Sequence, residues 1–213
     1  MSLSNSIILA SASPRRAHLL TLLGVAFQTD VSTVDEDLGA PGAAAERASE
    51  LALAKARAVA GRHAGQTILA ADTLISVGGQ LLGKPLDGSD AVAMLRSLCG
   101  TWHRVFTGVA VIVGASGKEL VAVEETRVLM RKYTDEEMAT YVASGDAMDK
   151  AAAYAVQSSA FHPVERLSGC YTNVMGLPLC TTCELLSRAG VVLPRAIEGA
   201  RRRDCSLCAL ARL

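Results

Sequence analysis

The feature that most constrains this chain is a short apolar run that stops abruptly. Ser6 to Ala10 reads SIILA, and Ser11-Ala12-Ser13-Pro14 follows without a spacer. A run of this length bounded by turn-forming residues suits a buried strand. Ser13 suits an N-cap and Pro14 the first helical position, so a buried strand is expected to feed directly into a helix. That helix, Arg15 to Leu23, should end at Gly24, which tolerates the left-handed backbone of a helix terminus.

The same alternation continues. Ala26 to Val31 reads as a second strand, and Val34-Asp35-Glu36-Asp37 as an acidic turn. Gly42 to His63 is Ala-rich, with Ala48, Leu51, Ala52, Ala56 and Val59 at helical spacing and the charges expected elsewhere. Thr67 to Ala71 predicts another buried strand with Asp72 at its carboxyl end. Thr73 to Val77 and Gln80 to Leu82 flank Gly78-Gly79, the pattern of a hairpin. Asp87 to Leu98 predicts a helix stopped by Gly100. Val105 to Val113 and Glu119 to Met130 predict a long antiparallel pair around a Gly114-Ala115-Ser116-Gly117 turn. Thr134 and Glu137 have capping-box spacing, opening a helix to about Ala143. Pro178 to Arg188 is helical up to Gly190, whereas Asp149 to Gln157 is ambiguous. This order implies an α/β fold with a mixed sheet and flanking helices.

Composition narrows the function classes. The 213 residues suffice for one domain or for two small lobes around a shared sheet. Half are hydrophobic but only 4% aromatic, which favours close-packed helices over an aromatic-rich sandwich. Lys plus Arg equals Asp plus Glu at 21 each, which argues against charge-driven binding of nucleic acid or membranes. The first residues lack a basic n-region, and the longest apolar run is too short to cross a bilayer. The expectation is a cytoplasmic protein with reduced thiols.

Several segments carry candidate chemistry. A helix N-terminus with two serines before it and Arg15-Arg16 after it suits a phosphate chain, because its N–H groups are free and Arg binds phosphate bidentately. An ordinary capped helix with solvated arginines is the competing reading. Asp72 stands where open α/β sheets place their ligands, and there it could orient a water or hold a metal ion. Read alone it is more often a turn aspartate satisfied by backbone. Lys84 in Gly83-Lys84-Pro85 and Lys150 could reach phosphates, and Gln157 has both the donor and the acceptor needed to read a base edge.

Together these segments resemble the Maf family of nucleotide pyrophosphatases. The matching stretches are LASASPRR (Leu9 to Arg16), AADT (Ala70 to Thr73), LGKP (Leu82 to Pro85), His103 with TGV at Thr107 to Val109, DKAAAYAVQ (Asp149 to Gln157) and NVMGLPL (Asn173 to Leu179). They occur in family order. The resemblance implies a Maf/ITPase-like elongated α/β fold with a twisted mixed sheet and a cleft between two lobes, in a homodimer. It implies one domain over residues 1–195, with 196–213 as a basic, Cys-containing tail. It implies hydrolysis of a nucleoside triphosphate at the α-phosphate, assisted by a divalent cation, Mg or Mn, with Asp72 as proton acceptor. Arg15, Thr73 and Gln157 fall on the positions that separate the dTTP/UTP-type from the 7-methyl-GTP-type subfamily. Ser11, Arg16, Glu36, Lys55, Lys84 and Lys150 match polar cleft positions. The family's usual DKAGAYGIQ has alanine for both glycines here, at Ala152 and Ala155. A 7-methyl-GTP pyrophosphatase, and a nucleotide-binding inhibitor of septum formation without turnover, are the alternatives the resemblance leaves.

Other residues have weaker patterns. Cys180-x-x-Cys183 and Cys205-x-x-Cys208 approach the spacing of a zinc ribbon, but the first pair falls on an expected helix, where both would serve as small buried hydrophobes. His103 and His162 are acid/base candidates, although lone histidines are more often hydrogen-bonded structural residues. Arg201-Arg202-Arg203 reads as a solvated tail.

Overall fold

The computed structural model describes residues 7–34, 42–114, 116–194 and 206–211. Its centre is a seven-stranded mixed sheet. Strands β1 (Ile7–Leu9), β2 (Phe27–Thr29) and β3 (Thr67–Val77) run parallel with β1 in the middle. β3 then continues antiparallel into β5 (Trp102–Ile112), β6 (Glu119–Met130) and β7 (Val164–Ser168), while β4 (Gln80–Leu82) folds back on the far end of β3. The helices are α1 (Pro14–Thr21), α2 (Ala44–Ala60), α3 (Gly88–Leu98), α4 (Asp135–Ala143), α5 (Tyr171–Val174), α6 (Leu179–Arg188) and α7 (Ser206–Leu210). The expected mixed α/β architecture with flanking helices is what forms. β7, α5 and α7 were not foreseen.

Local signals act where they stand. Ser13 caps α1 by accepting from the Arg16 N–H, and Asp87 caps α3 by accepting from that of Asp90. Thr134 and Glu137 close a complete capping box on α4. Each cap satisfies a donor that would otherwise be orphaned at a helix end.

Strand alternation divides the core between the two sheet faces. Ile8, Ile68, Ala70 and Ala110 face α2 and meet its Ala52, Ala56 and Val59. Ile7, Leu9, Leu69 and Val109 face the other way, against Leu19 and Leu20 of α1 and Leu185 and Leu186 of α6. Leu207 of α7 joins this second cluster. The long strands β3, β5 and β6 then run on into a separate core, where Ile75, Val105 and Val128 pack with Leu95 of α3, Met138 of α4, Tyr154 and Phe161. Two lobes therefore share one set of strands.

Two expectations need correction here. Thr67 to Val77 is one continuous strand, so Asp72 lies inside it and not at its carboxyl end. The charges of α2 are also not all outside, because Arg47 and Lys55 are buried on its inner side.

One glycine sets the height of α2 above the sheet. Gly108 pairs with Asp72 across β3 and β5, and a Cβ on it would lie 2.1 Å from the Ala48 carbonyl oxygen. Only a residue without a side chain lets helix backbone approach strand backbone this closely. Lys55 is two turns along the same helix from Ala48, so this contact fixes where its side chain reaches.

Candidate active site

The parallel pairing of β1 with β3 ends at Leu9 and Leu69. From there β1 turns away into Ser11, and the next stretch of β3 loses its neighbour on that side. Asp72 and Thr73 occupy that stretch. Strand alternation sends Asp72 toward α2 and Thr73 toward α1, yet both border one opening, because the sheet edge itself is uncovered.

The opening is a cleft of about 570 Å³, within the roughly 300–1,000 Å³ range of small-molecule sites. Ser11, Arg15 and Arg16 line it from the β1–α1 junction, and Lys55, Asp72 and Thr73 from its floor. Lys84, Lys150 and Gln157 line it from the second lobe. Nine of the residues singled out in the sequence thus face one cavity. Glu36 lies outside the described residues.

Asp72 is 4% exposed and Lys55 7% exposed. The Lys55 Nζ donates to Asp72 Oδ1 at 2.5 Å. Asp72 Oδ2 has no hydrogen-bond partner among the described residues, and Asp72 borders the cleft. A buried charge without a partner is costly, so Lys55 is what makes a carboxylate tolerable here. The pair also holds one oxygen and leaves the other for chemistry.

Arg16 is anchored from three sides. Its Nε donates to the Gly176 carbonyl at 2.8 Å, Nη1 to Ser11 Oγ at 3.4 Å and Nη2 to Thr73 Oγ1 at 3.2 Å. Thr73 Oγ1 is in turn 2.9 Å from Thr107 Oγ1, and Thr107 Oγ1 donates to the Asn173 carbonyl at 3.1 Å. A hydroxyl has one hydrogen, and Thr107 spends its own on Asn173, so Thr73 is the donor in the threonine pair. The chain runs one way: Arg16 to Thr73 to Thr107 to Asn173. With one lone pair taken by Arg16, Thr73 therefore offers the cleft a single lone pair and no hydrogen.

Across the mouth, Arg15 Nη1 meets Asp149 Oδ2 at 3.1 Å. Lys150 donates to Asp149 Oδ1 at 2.6 Å, to Asp146 Oδ1 at 2.9 Å and to the Asp146 carbonyl. Burial opposes ionisation of Asp149 most strongly, but the Lys150 hydrogen bond and the Arg15 charge outweigh it and hold the carboxyl below its usual range. Lys84 is exposed and has no ion-pair partner among the described residues.

The ambiguous segment from Lys150 is a tight 3-10 turn, Ala151–Ala153. Ala152 and Ala153 both have left-handed backbone, φ 56° and 60°. The Ala152 N–H donates to the Gly83 carbonyl at 2.8 Å, which ties the two lysine-bearing segments together. Tyr154, just beyond, bonds to His103 Nε2 at 2.7 Å. Burial pulls His103 down to about 4, against an opposing backbone hydrogen bond at Thr101, so the ring is neutral near pH 7. His103 borders no part of the cleft, which leaves it a structural role. His162 is exposed and likewise outside it.

Cys180 and Cys183 are buried within the α1–α6 core, and neither is in a disulfide. Cys208 is disulfide-bonded, so the expectation of reduced thiols throughout does not hold for it. Cys205 and Arg201 to Arg203 lie outside the described residues. Among the described residues no group of three or more His, Cys, Asp or Glu side chains is placed to hold a metal ion, and no helix is long and apolar enough to cross a membrane.

Sequence reasoning missed Asp149 as a cleft residue and Thr107 as the buried support of Thr73, although both fall within the quoted motifs. Nothing local marks Thr107, since its role depends on its register opposite Thr73. Asp149 had a signal in its position beside Lys150.

The fold and cleft define an α/β protein with a cation-rimmed cleft over a buried carboxylate. The Maf-like protein family model matches residues 6–189, and the chain belongs to that family. A dTTP/UTP pyrophosphatase of Thermomicrobium roseum is 44% identical over 97% of this chain and 94% of its own length. One of Geobacter sulfurreducens is 46% identical over 87% and 97%. Among solved structures, a HAM1 protein from Coxiella burnetii aligns with a TM-score of 0.42 at 16% identity, covering 70% of this chain and 85% of that one.

Proposed function

We propose that this chain is a nucleoside triphosphate pyrophosphatase that hydrolyses dTTP and UTP to the monophosphate and pyrophosphate. The observation that carries the reading is the Lys55–Asp72 pair, which presents one carboxylate oxygen at the floor of a cleft rimmed by cations. The names of the relatives support the substrate, as do Arg15, Thr73 and Gln157 at the subfamily positions.

In this reading Arg15, Arg16, Lys84 and Lys150 bind the phosphate chain and neutralise it. Lys55 orients Asp72. Asp72 Oδ2 accepts a proton from water as the water oxygen bonds to the α-phosphorus. The bond from that phosphorus to the bridging oxygen breaks, and pyrophosphate leaves with this oxygen. No covalent enzyme intermediate is required.

A divalent cation, Mg or Mn, fits the donor set in one way. One carboxylate oxygen of Asp72 and the one Thr73 lone pair that Arg16 leaves open suit a hard cation that keeps substrate phosphates and waters as its other ligands, not a closed protein cage. When bound it would supply charge neutralisation and polarisation of the phosphates.

The test is pyrophosphate release from a panel of triphosphates with Mg²⁺ or Mn²⁺. Asp72→Asn should reduce the rate on dTTP and UTP by on the order of 10²–10⁴-fold. Full activity in that variant sinks the assignment of the base. A faster rate on 7-methyl-GTP overturns the substrate, and tight binding without turnover favours a signalling role in septum formation. We further read residues 1–195 as the catalytic domain with 196–213 as a tail, in a cytoplasmic homodimer, and light scattering on the purified chain checks the dimer.

A further inference from the structure

The mouth of the cleft already holds an anion, and it belongs to the protein. One Asp149 oxygen is on Arg15 and the other on Lys150, so a single carboxylate bridges two cations from opposite lobes. We infer that Asp149 is a specificity residue, an internal competitor for Arg15 that sets how much negative charge a ligand needs to enter. The inference rests on the cleft being a phosphate site.

The geometry separates the two cations. Lys150 keeps the side chain and carbonyl of Asp146 whether or not Asp149 is present. Arg15 has no other partner among the described residues. Releasing Asp149 therefore frees Arg15 and leaves Lys150 in place. The Asp149 side chain is 64% exposed, and such ion pairs are weak and easily exchanged.

Ligands of different length meet this pair differently. A short phosphate must displace the carboxylate to gain Arg15, exchanging one anion for another with little net gain. A triphosphate also engages Arg16 and Lys84, so displacing Asp149 is a small part of its binding. Asp149 therefore penalises short anions proportionally more than long ones. In the proposed reaction these short anions are the leaving pyrophosphate and the nucleoside diphosphates that accompany a triphosphate.

Calorimetric titration of inorganic pyrophosphate and of UDP into the wild-type chain, Asp149→Asn, Arg15→Ala and Arg15→Ala/Asp149→Asn tests this without turnover. Asp149→Asn is expected to bind both roughly fivefold tighter, from loss of one competing surface ion pair. The KM for UTP should change less, so discrimination between UTP and UDP narrows. Unchanged or weaker binding overturns the inference. Tighter binding that persists with Arg15→Ala also overturns it, because the effect is then general charge and not competition for Arg15. Asp149→Ser, equally exposed, repeats the comparison should the amide variant fold poorly. If no triphosphate is hydrolysed the enzymatic reading fails, and the titrations still decide the role of Asp149.

Discussion

The hydroxyls of Thr73 and Thr107 lie 2.9 Å apart on adjacent antiparallel strands, and only Thr73 has a hydrogen to give. Thr107 is fully buried, so its one polar group works entirely for its neighbours. It fixes the direction of the Thr73 hydroxyl, and through Thr73 it steadies the Arg16 guanidinium.

Thr107→Val keeps the shape and removes this control. The Asn173 carbonyl loses a donor, and stability should fall by about 1–3 kcal/mol. The sharper readout is kinetic: KM for the triphosphate is expected to rise several-fold more than kcal-scale destabilisation alone produces, with Thr107→Ser restoring it. A stability loss with unchanged KM would show that Thr107 is purely structural.

Lys55→Met should be severe. It leaves Asp72 as a buried, unpaired carboxylate, at a cost of about 3–5 kcal/mol. Adding Asp72→Asn removes the charge and should recover most of that loss while activity stays absent. Urea unfolding of the two single variants and the double variant measures the coupling. Simple additivity would mean that the two side chains do not act as a pair.

Ala152 tests how strain and burial balance. A left-handed alanine costs about 1–2 kcal/mol relative to the right-handed form. Glycine would relieve this but loses a buried methyl worth about 0.8 kcal/mol and gains about 0.4–1 kcal/mol of unfolded-chain entropy. These nearly cancel, so Ala152→Gly should leave stability within about 1 kcal/mol of wild type. This accounts for alanine standing where the family usually has glycine. Ala152→Val, whose branched side chain resists φ 56°, should lose more than about 2 kcal/mol.

His103 gives a pH dependence with a definite sign. Its folded value, about 4, lies below its usual 6.5. Between those values the unfolded chain binds a proton that the folded chain refuses. Stability is therefore complete above about pH 6.5 and falls as pH drops toward 4, by on the order of 3 kcal/mol in total. Thermal melts across this window should show the fall, and His103→Gln should flatten it. An equally steep fall in that variant assigns the slope to other groups.

The caps at Ser13, Asp87 and Thr134, and the Gly78-Gly79 turn, were legible because each acts within four residues of itself. So was the set of polar residues around the cleft, through motif order. Asp72 was misplaced at a strand end because a polar pair inside an apolar strand looks like a turn. It is accommodated there because β1 ends at Leu9, which is a tertiary fact. Lys55 was expected at the cleft through the resemblance alone, and its pairing with Asp72 was not legible because the partner comes from another element. The left-handed turn at Ala152 had a signal only in the glycine the resemblance puts there, because alanine itself does not advertise that conformation.

The contact at Gly108 has a wider consequence. Where helix backbone rests on strand backbone there is no side chain to rotate, compress or repack. The height of Lys55 over Asp72 is thus a hard stop, whereas Arg15 and Asp149 at the mouth are held by an exchangeable pair. The molecule joins a rigid anvil to an adjustable jaw. Variation in what it grips should accumulate at the jaw, and changes that thicken the anvil, beginning with Gly108→Ala, should silence it whatever the nucleotide offered.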